Sequence, residues 1–279
     1  MGVQKDTWRA SPFPRGLLLA AALGAAPPLA CAPDPVHWGP ERRAQSTIAP
    51  RARISFGGGA APTIVAGWVP PSLPRSASRC PGSVTATMAR GDSAFAAWWA
   101  VRPDSSASLV VSRSVDRGRS WGAAVTADSA DRGRVGCRRL PPAISADSLN
   151  GYVHVVYFMQ APEGPGLFFT HSMDAGRTFH APIAIVYGER PSAAAVSSRG
   201  DTVAVAYEDP NAAAPQVWLA LSRSQGHIFE HRLSVSTASA RGENPAVVVR
   251  DGRVAIAWNE TGRGGGSVTT VMRAGVLRW

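Results

Sequence analysis

The sequence predicts an all-β fold assembled from repeated four-stranded units. Three observations support this prediction: an octapeptide recurs along the chain, a strand of alternating apolar residues precedes each copy, and no sustained helical period follows the apolar N-terminal stretch. A motif that recurs at a spacing of about 50 residues is typical of a repeat architecture. We therefore expect residues 46–279 to form one domain built from such repeats.

The octapeptide reads Ser-x-Asp-x-Gly-x-(Ser/Thr)-aromatic. Two clear copies span residues 114–121 and 172–179, 58 residues apart, and a weaker copy spans residues 222–229. In such a turn the aspartate accepts hydrogen bonds from nearby backbone N–H groups, the glycine adopts a positive φ, and the aromatic ring turns inward. The positions expected to shape these turns are Ser114, Asp116, Gly118, Trp121, Ser172, Asp174, Gly176, Phe179, Ser222, Gly226 and Phe229.

A strand that ends in an aromatic residue precedes each octapeptide and recurs once more near the C-terminus. The aromatic residues are Trp98, Tyr157, Tyr207 and Trp258. A shorter segment rich in small residues comes before each strand, as at residues 141–145. Four strands in a unit of about 50 residues are typical of a β-propeller blade. In the last unit we expect a plain turn at residues 272–275 in place of the octapeptide.

Blade number is less determined than fold class. Four repeats are visible between Cys80 and Trp279. Two further strand candidates, at residues 53–56 and 63–68, lie in the segment 46–75. These strands either form a fifth, degenerate blade or contribute a strand that closes the ring.

The octapeptide resembles the Asp-box, or BNR repeat, of sialidases and related β-propellers. In that family the box lies between the third and fourth strands of a blade, on the face away from the active site. The resemblance therefore implies a sialidase-like propeller whose box residues shape turns. Functional residues are then expected in the loops of the opposite face.

The resemblance also implies a set of candidate site residues. Sialidases hold the substrate carboxylate with three arginines, and they use a tyrosine nucleophile activated by a glutamate. Arg139, Arg190 and Arg241 recur once per repeat and are the candidate clamp, while Tyr187 and Glu189 are the candidate catalytic pair. The remaining candidates for substrate binding are the loop carboxylates Glu208, Asp209 and Glu260.

The chain departs from the family pattern at two places. Arg53-Ile54-Ser55 stands where sialidases have Arg-Ile-Pro, and no tyrosine follows Tyr207, although the family nucleophile comes late in the chain. Three functions therefore stay open: a module that recognises a glycan or another envelope component, a sialidase-type glycoside hydrolase, and a non-catalytic scaffold with a protein partner.

Other chemistries have little support in the sequence. The six histidines are scattered without the ligand spacing of a zinc site, and no Gly-x-Ser-x-Gly nucleophile motif occurs. We expect no metal and no cofactor.

The first thirty residues are typical of a bacterial signal peptide. Lys5, Arg9 and Arg15 precede a short apolar core at residues 16–26, which is too short to span a bilayer. We expect residues 1–30 to be removed and residues 31–45 to form a linker. Cleavage either precedes a lipidated Cys31 or follows an ordinary small-residue site. The protein is thus expected to be exported, with membrane attachment only through that lipid.

Export permits disulfides, and Cys80 and Cys137 precede Trp98 and Tyr157 by 18 and 20 residues. Because equivalent positions of neighbouring blades lie side by side, we predict a disulfide between them; two buried free thiols are the alternative.

From Cys31 onward the chain carries 26 basic and 18 acidic residues, a net charge of +8. No basic run exceeds two residues, so nucleic acid is not an expected partner, whereas an acidic polysaccharide suits this charge.

Overall fold

The computed structural model describes residues 34–56, 61–77, 79–262 and 264–279. The expected signal peptide and the lipidation candidate Cys31 lie outside these residues. Over the described ranges the regular structure consists of strands and three short 3-10 turns, at Arg75–Ala77, Pro81–Ser83 and Gly136–Arg138. No helix in this part of the chain has the length and apolar character to cross a membrane.

Three antiparallel sheets of four strands follow one another along the chain, each with its strands in sequence order. Sheet I contains β5 (Thr85–Met88), β6 (Ala94–Val101), β7 (Ala107–Ser114) and β8 (Val125–Asp128). Sheet II contains β9 (Ala143–Ala146), β10 (Val153–Ala161), β11 (Gly164–Ser172) and β12 (Ile183–Tyr187). Sheet III contains β13 (Ala194–Arg199), β14 (Thr202–Glu208), β15 (Val217–Ser222) and β16 (His231–Ser234). The first strands β5, β9 and β13 contact one another in this order, so they are the innermost strands.

Sheet IV combines the two ends of the described chain. Its C-terminal strands are β17 (Ala240–Arg250), β18 (Arg253–Gly262) and β19 (Thr269–Leu277), and its outer strands are β1 (Val36–Trp38) and β2 (Arg42–Ala44). Both β1 and β2 pair with β19. They supply hydrogen-bond partners for backbone groups that β19 would otherwise leave free at the edge of the sheet. Both strands lie within residues 31–45, the range expected to form a linker. The turn predicted at residues 272–275 is wrong, because these residues lie inside β19.

Sheet V is a two-stranded pair, β3 (Arg53–Phe56) and β4 (Pro62–Val65), formed by the segment predicted to hold a degenerate fifth unit. Ile54 and Phe56 pack on Ala246 and Ala255 of sheet IV. On the other side, Nη2 of Arg53 donates a hydrogen bond to the carbonyl of Ala86 in β5 at 2.9 Å. Sheet V thus contacts both the first and the last of the larger sheets.

The hydrophobic core consists of clusters between consecutive sheets. One cluster joins sheets I and II, a second joins sheets II and III, and a third joins sheets III and IV. The four strand-ending aromatic residues are buried on the second strand of their sheets, as the alternation predicts. They are Trp98, Tyr157, Tyr207 and Trp258.

The predicted turns join the third and fourth strands in sheets I, II and III. In the first, Oδ1 of Asp116 accepts hydrogen bonds from Ser114 Oγ at 2.7 Å and from the N–H of Ser120 at 2.9 Å. Asp174 accepts equivalent bonds from Ser172 and Thr178 in the second turn. These bonds lower the pKa of Asp116 to about 2, the hydroxyl of Ser120 contributing most.

The third turn has lost its aspartate but keeps the same shape. Ser224 occupies the aspartate position, and its Oγ accepts the N–H of Ile228 at 3.1 Å. Gly226 retains a positive φ of 92°. The aromatic anchor Phe229 packs edge-on against Phe169 of sheet II, with ring centroids 5.1 Å apart. A short hydroxyl therefore replaces the carboxylate without changing the turn.

The predicted disulfide between Cys80 and Cys137 is present, with its Cα atoms 5.5 Å apart. It ties the segment before β5 to the segment before β9, which confirms the expected adjacency of the two positions and excludes the free-thiol alternative.

Candidate functional site

A cavity of about 350 Å³ opens where the innermost strands begin. We call it the central cavity. Because successive strands reverse direction, the start of a first strand lies at the opposite end of a sheet from the turn between its third and fourth strands. The central cavity therefore opens on the face away from the boxes. It is lined by Pro50–Arg53, Thr85, Leu140–Ile144, Ala193–Val196, Asn244, Pro245 and Val247.

Two arginines give the central cavity a positive charge. Arg51 lies exposed at its edge and donates to the carbonyl of Val84 at 2.9 Å, while the half-buried Arg53 donates to the carbonyl of Ala86. Burial lowers the pKa of both groups below the ordinary arginine value. Among the ion pairs of the described residues, none joins Arg51 or Arg53 to a carboxylate. Arg53 is thus a largely desolvated cation without an acidic partner, which favours an anionic ligand.

Glu208 ends β14 beside the central cavity. Its Oε1 accepts the N–H of Asn244 at 2.9 Å, and its Oε2 lies 3.4 Å from the N–H of Ala193. Both partners line the cavity. A β-bulge between Glu243 and Ala246 turns the Asn244 amide toward this carboxylate, with a φ of 53° at Asn244. Burial raises the pKa of Glu208, and a carboxyl group with a raised pKa beside a cleft is a candidate for proton transfer.

The three predicted clamp arginines are each held by local partners. Arg139 is only 8% exposed and forms an ion pair with Asp131, Nη2 to Oδ2 2.7 Å. Arg190 donates to the carbonyl of Asp209 at 2.5 Å. Arg241 is exposed and forms an ion pair with the carboxylate two residues later at 3.0 Å. None of the three belongs to the lining of the central cavity as the structure describes it.

The predicted catalytic pair lies at the outer edge of sheet II. Tyr187 is on β12, the outermost strand of sheet II, 49% exposed, with its ring edge-on to Phe168. Glu189 is exposed in the loop that follows. Strands β10 and β11 separate this edge from the innermost strand β9, so the tyrosine does not face the central cavity.

The other two predicted carboxylates also have structural partners. The carboxylate of Asp209 accepts the N–H of Asn211 at 2.9 Å, which closes a local turn. Glu260 is buried and receives Arg43 from β2 at 2.7 Å and the indole N–H of Trp258 at 3.3 Å. Among the predicted residues, only Glu208 therefore has a carboxylate that is hydrogen-bonded to residues lining the central cavity.

The sequence pattern does not assign Arg51 or Arg53 to the site. The only signal was the Arg53-Ile54-Ser55 segment, which stands where the family has Arg-Ile-Pro. Arg51 belongs to no repeat, and only the position of sheet V between sheets I and IV brings it to the cavity.

Comparisons with known proteins give structural neighbours of low similarity. A Hadza microbial sialidase is 18% identical, with a TM-score of 0.46 over 67% of this chain and 45% of its own. A leech intramolecular trans-sialidase is 15% identical, with a TM-score of 0.40 over 60% of this chain and 26% of its own. An α-L-arabinofuranosidase from Podospora anserina is 14% identical, with a TM-score of 0.40 over 66% of this chain and 60% of its own.

The chain thus spans less than two thirds of the length of each of these proteins. No protein-family model matches the sequence, and no curated protein matches it. Because the structural similarity is low, we transfer no residue role and no activity from these neighbours.

Proposed function

We propose that the chain is an exported, five-bladed, sialidase-like β-propeller that binds an acidic glycan in its central cavity. The contacts of sheet V with sheets I and IV support a closed ring of five sheets. The Cys80–Cys137 disulfide supports export, because such bonds persist in oxidising compartments.

The observation that carries the proposed function is the pair Arg51 and Arg53 at the central cavity. A guanidinium has five N–H donors, and Arg53 commits one of them to the carbonyl of Ala86. The remaining donors can bind a carboxylate in the two-point geometry that arginine favours. A cavity of about 350 Å³ lies within the size range of sites for small ligands. The ligand class that fits charge and size is a sugar bearing a carboxylate.

The test is calorimetric titration of the chain with 3′-sialyllactose, with lactose as the matched ligand that lacks the carboxylate. We expect binding of 3′-sialyllactose only. Arg51→Ala and Arg53→Ala should each weaken it by about 1.5–3 kcal/mol, or roughly ten- to a hundredfold in Kd. Arg90→Ala removes an equal charge from the turn between β5 and β6 and should bind like the wild type. Equal affinity for lactose, or unchanged binding in both cavity variants, would refute the proposal.

A second candidate function, glycoside hydrolysis, is favoured by the raised pKa of Glu208. A carboxyl group whose pKa is raised keeps its proton to a higher pH than an ordinary glutamate and can protonate the oxygen of a leaving group. Release of methylumbelliferone from its sialoside tests this role. Turnover that falls at least about a hundredfold in Glu208→Gln, with 3′-sialyllactose binding retained, would support hydrolysis. The absence of turnover in the wild type would refute hydrolysis and leave glycan binding as the only proposed function.

A further inference from the structure

Three histidines come together on the box face, far along the sheets from the central cavity. His171 lies near the end of β11, His180 directly follows the second box, and His227 lies in the third box. One ring nitrogen from each can be chosen so that all three lie within 4.8 Å of one another. The N–H of His180 donates to the carbonyl of His171 at 2.9 Å, which sets these two residues opposite each other on one hairpin.

His227 reaches this pair from the neighbouring sheet because the third box packs closely on β11. A Cβ at Gly226 would lie 2.3 Å from the ring of Phe169, so only glycine permits the approach. Phe169 and His171 are two residues apart and point to the same face of β11. The ring centroids of His171 and His227 are consequently 4.6 Å apart, and those of His171 and His180 are 4.3 Å apart.

The ring nitrogens are available as ligands. His171 is 4% exposed, and its Nε2 has no hydrogen-bond partner among the described residues. A buried nitrogen without a partner is uncommon and points to a missing ligand. Nδ1 of His227 lies 2.7 Å from the carbonyl of Ser224, and this contact leaves Nε2 of the same ring free to bind a metal.

We propose that His171, His180 and His227 bind a divalent transition-metal ion of the zinc class. Three imidazole nitrogens suit zinc, cobalt, nickel or copper, whereas calcium and magnesium prefer oxygen. Tetrahedral Zn–N bonds of about 2.0–2.1 Å place the nitrogens about 3.3 Å apart. His180 and His227 are exposed, so their rings can turn to close the remaining distance, and solvent can occupy the fourth position. The ion links sheet II to sheet III through their boxes.

The test uses tag-free protein freed of metal with a chelator. We expect calorimetric titration with ZnCl2 to give one equivalent per chain, and CoCl2 to give the visible absorption of a tetrahedral site. His180→Ala and His227→Ala should each weaken zinc binding at least about tenfold. His37→Ala removes an exposed histidine on β1 and should leave zinc binding unchanged.

Thermal unfolding gives a second readout. Zinc at about a hundred times its Kd should raise Tm of the wild type by roughly 5–10 °C, and the shift should disappear in His180→Ala and His227→Ala. Because both rings are exposed, these variants should keep the near-ultraviolet dichroism of the wild type. The proposal is overturned if the wild type binds no zinc, or if both variants bind it like the wild type. The proposal is also overturned if His37→Ala weakens zinc binding as much as His180→Ala and His227→Ala do.

Discussion

Removing the Cys80–Cys137 disulfide should lower the free energy of unfolding by about 4 kcal/mol. The bridge joins residues 57 positions apart, and the figure follows from the chain entropy that a closed loop of this size removes from the unfolded state. Cys137 is exposed and Cys80 is buried, so alanine leaves a small cavity only at position 80. For a domain of this size the loss corresponds to a fall in Tm of roughly 8–16 °C.

Equilibrium unfolding in guanidinium chloride, followed by tryptophan fluorescence, measures this difference between the wild type and Cys80→Ala/Cys137→Ala. A reducing agent supplies the control, because it should lower the stability of the wild type to that of the variant and leave the variant unchanged. The reasoning is refuted if oxidised and reduced wild type differ by less than about 1 kcal/mol while both unfold in a single transition.

Two further predictions concern the boxes. Gly226→Ala should lower the free energy of unfolding by about 2–4 kcal/mol, because the added Cβ would clash with the ring of Phe169. Gly252 also has a positive φ but faces open space, so Gly252→Ala should lower it by only about 1 kcal/mol. Equal losses of stability in the two variants would contradict the role of the Phe169 contact. Asp116→Asn should lower Tm at pH 7. Because the pKa of Asp116 is lowered from 3.8 to about 2 in the folded state, the difference in Tm between wild type and variant should be largest above about pH 4 and should vanish as the pH falls toward 2. A difference in Tm that does not depend on pH would contradict the role of the charge.

The parts of the fold that local chemistry determines could be predicted from the sequence. The box turns form through bonds between residues at most four positions apart, so the octapeptide alone defines them. The second strands are buried on both faces, and their apolar residues and final aromatics reveal them. The Cys80–Cys137 pair was predictable because the repeat places both cysteines at equivalent positions.

Contacts between distant parts of the chain could not be predicted in the same way. Strands β1 and β2 are three residues each, and they become strands only because the edge of β19 needs partners. Arg139 was assigned to a ligand clamp by its place in the repeat, but Asp131 in its own loop neutralises it. The three clustered histidines belong to two sheets, so no ligand spacing in the sequence reveals them.

Sheet V contributes both to the packing against sheets I and IV and to the charge of the central cavity. Arg53 holds β3 against β5 through the carbonyl of Ala86, and it also supplies positive charge to the cavity lining. Loss of binding in Arg53→Ala could therefore reflect either loss of a ligand contact or loosening of sheet V. Arg53→Lys separates these roles, because lysine keeps the charge and one backbone hydrogen bond but lacks the planar fork that binds a carboxylate at two points. Weakened binding with unchanged stability in that variant assigns Arg53 to the ligand.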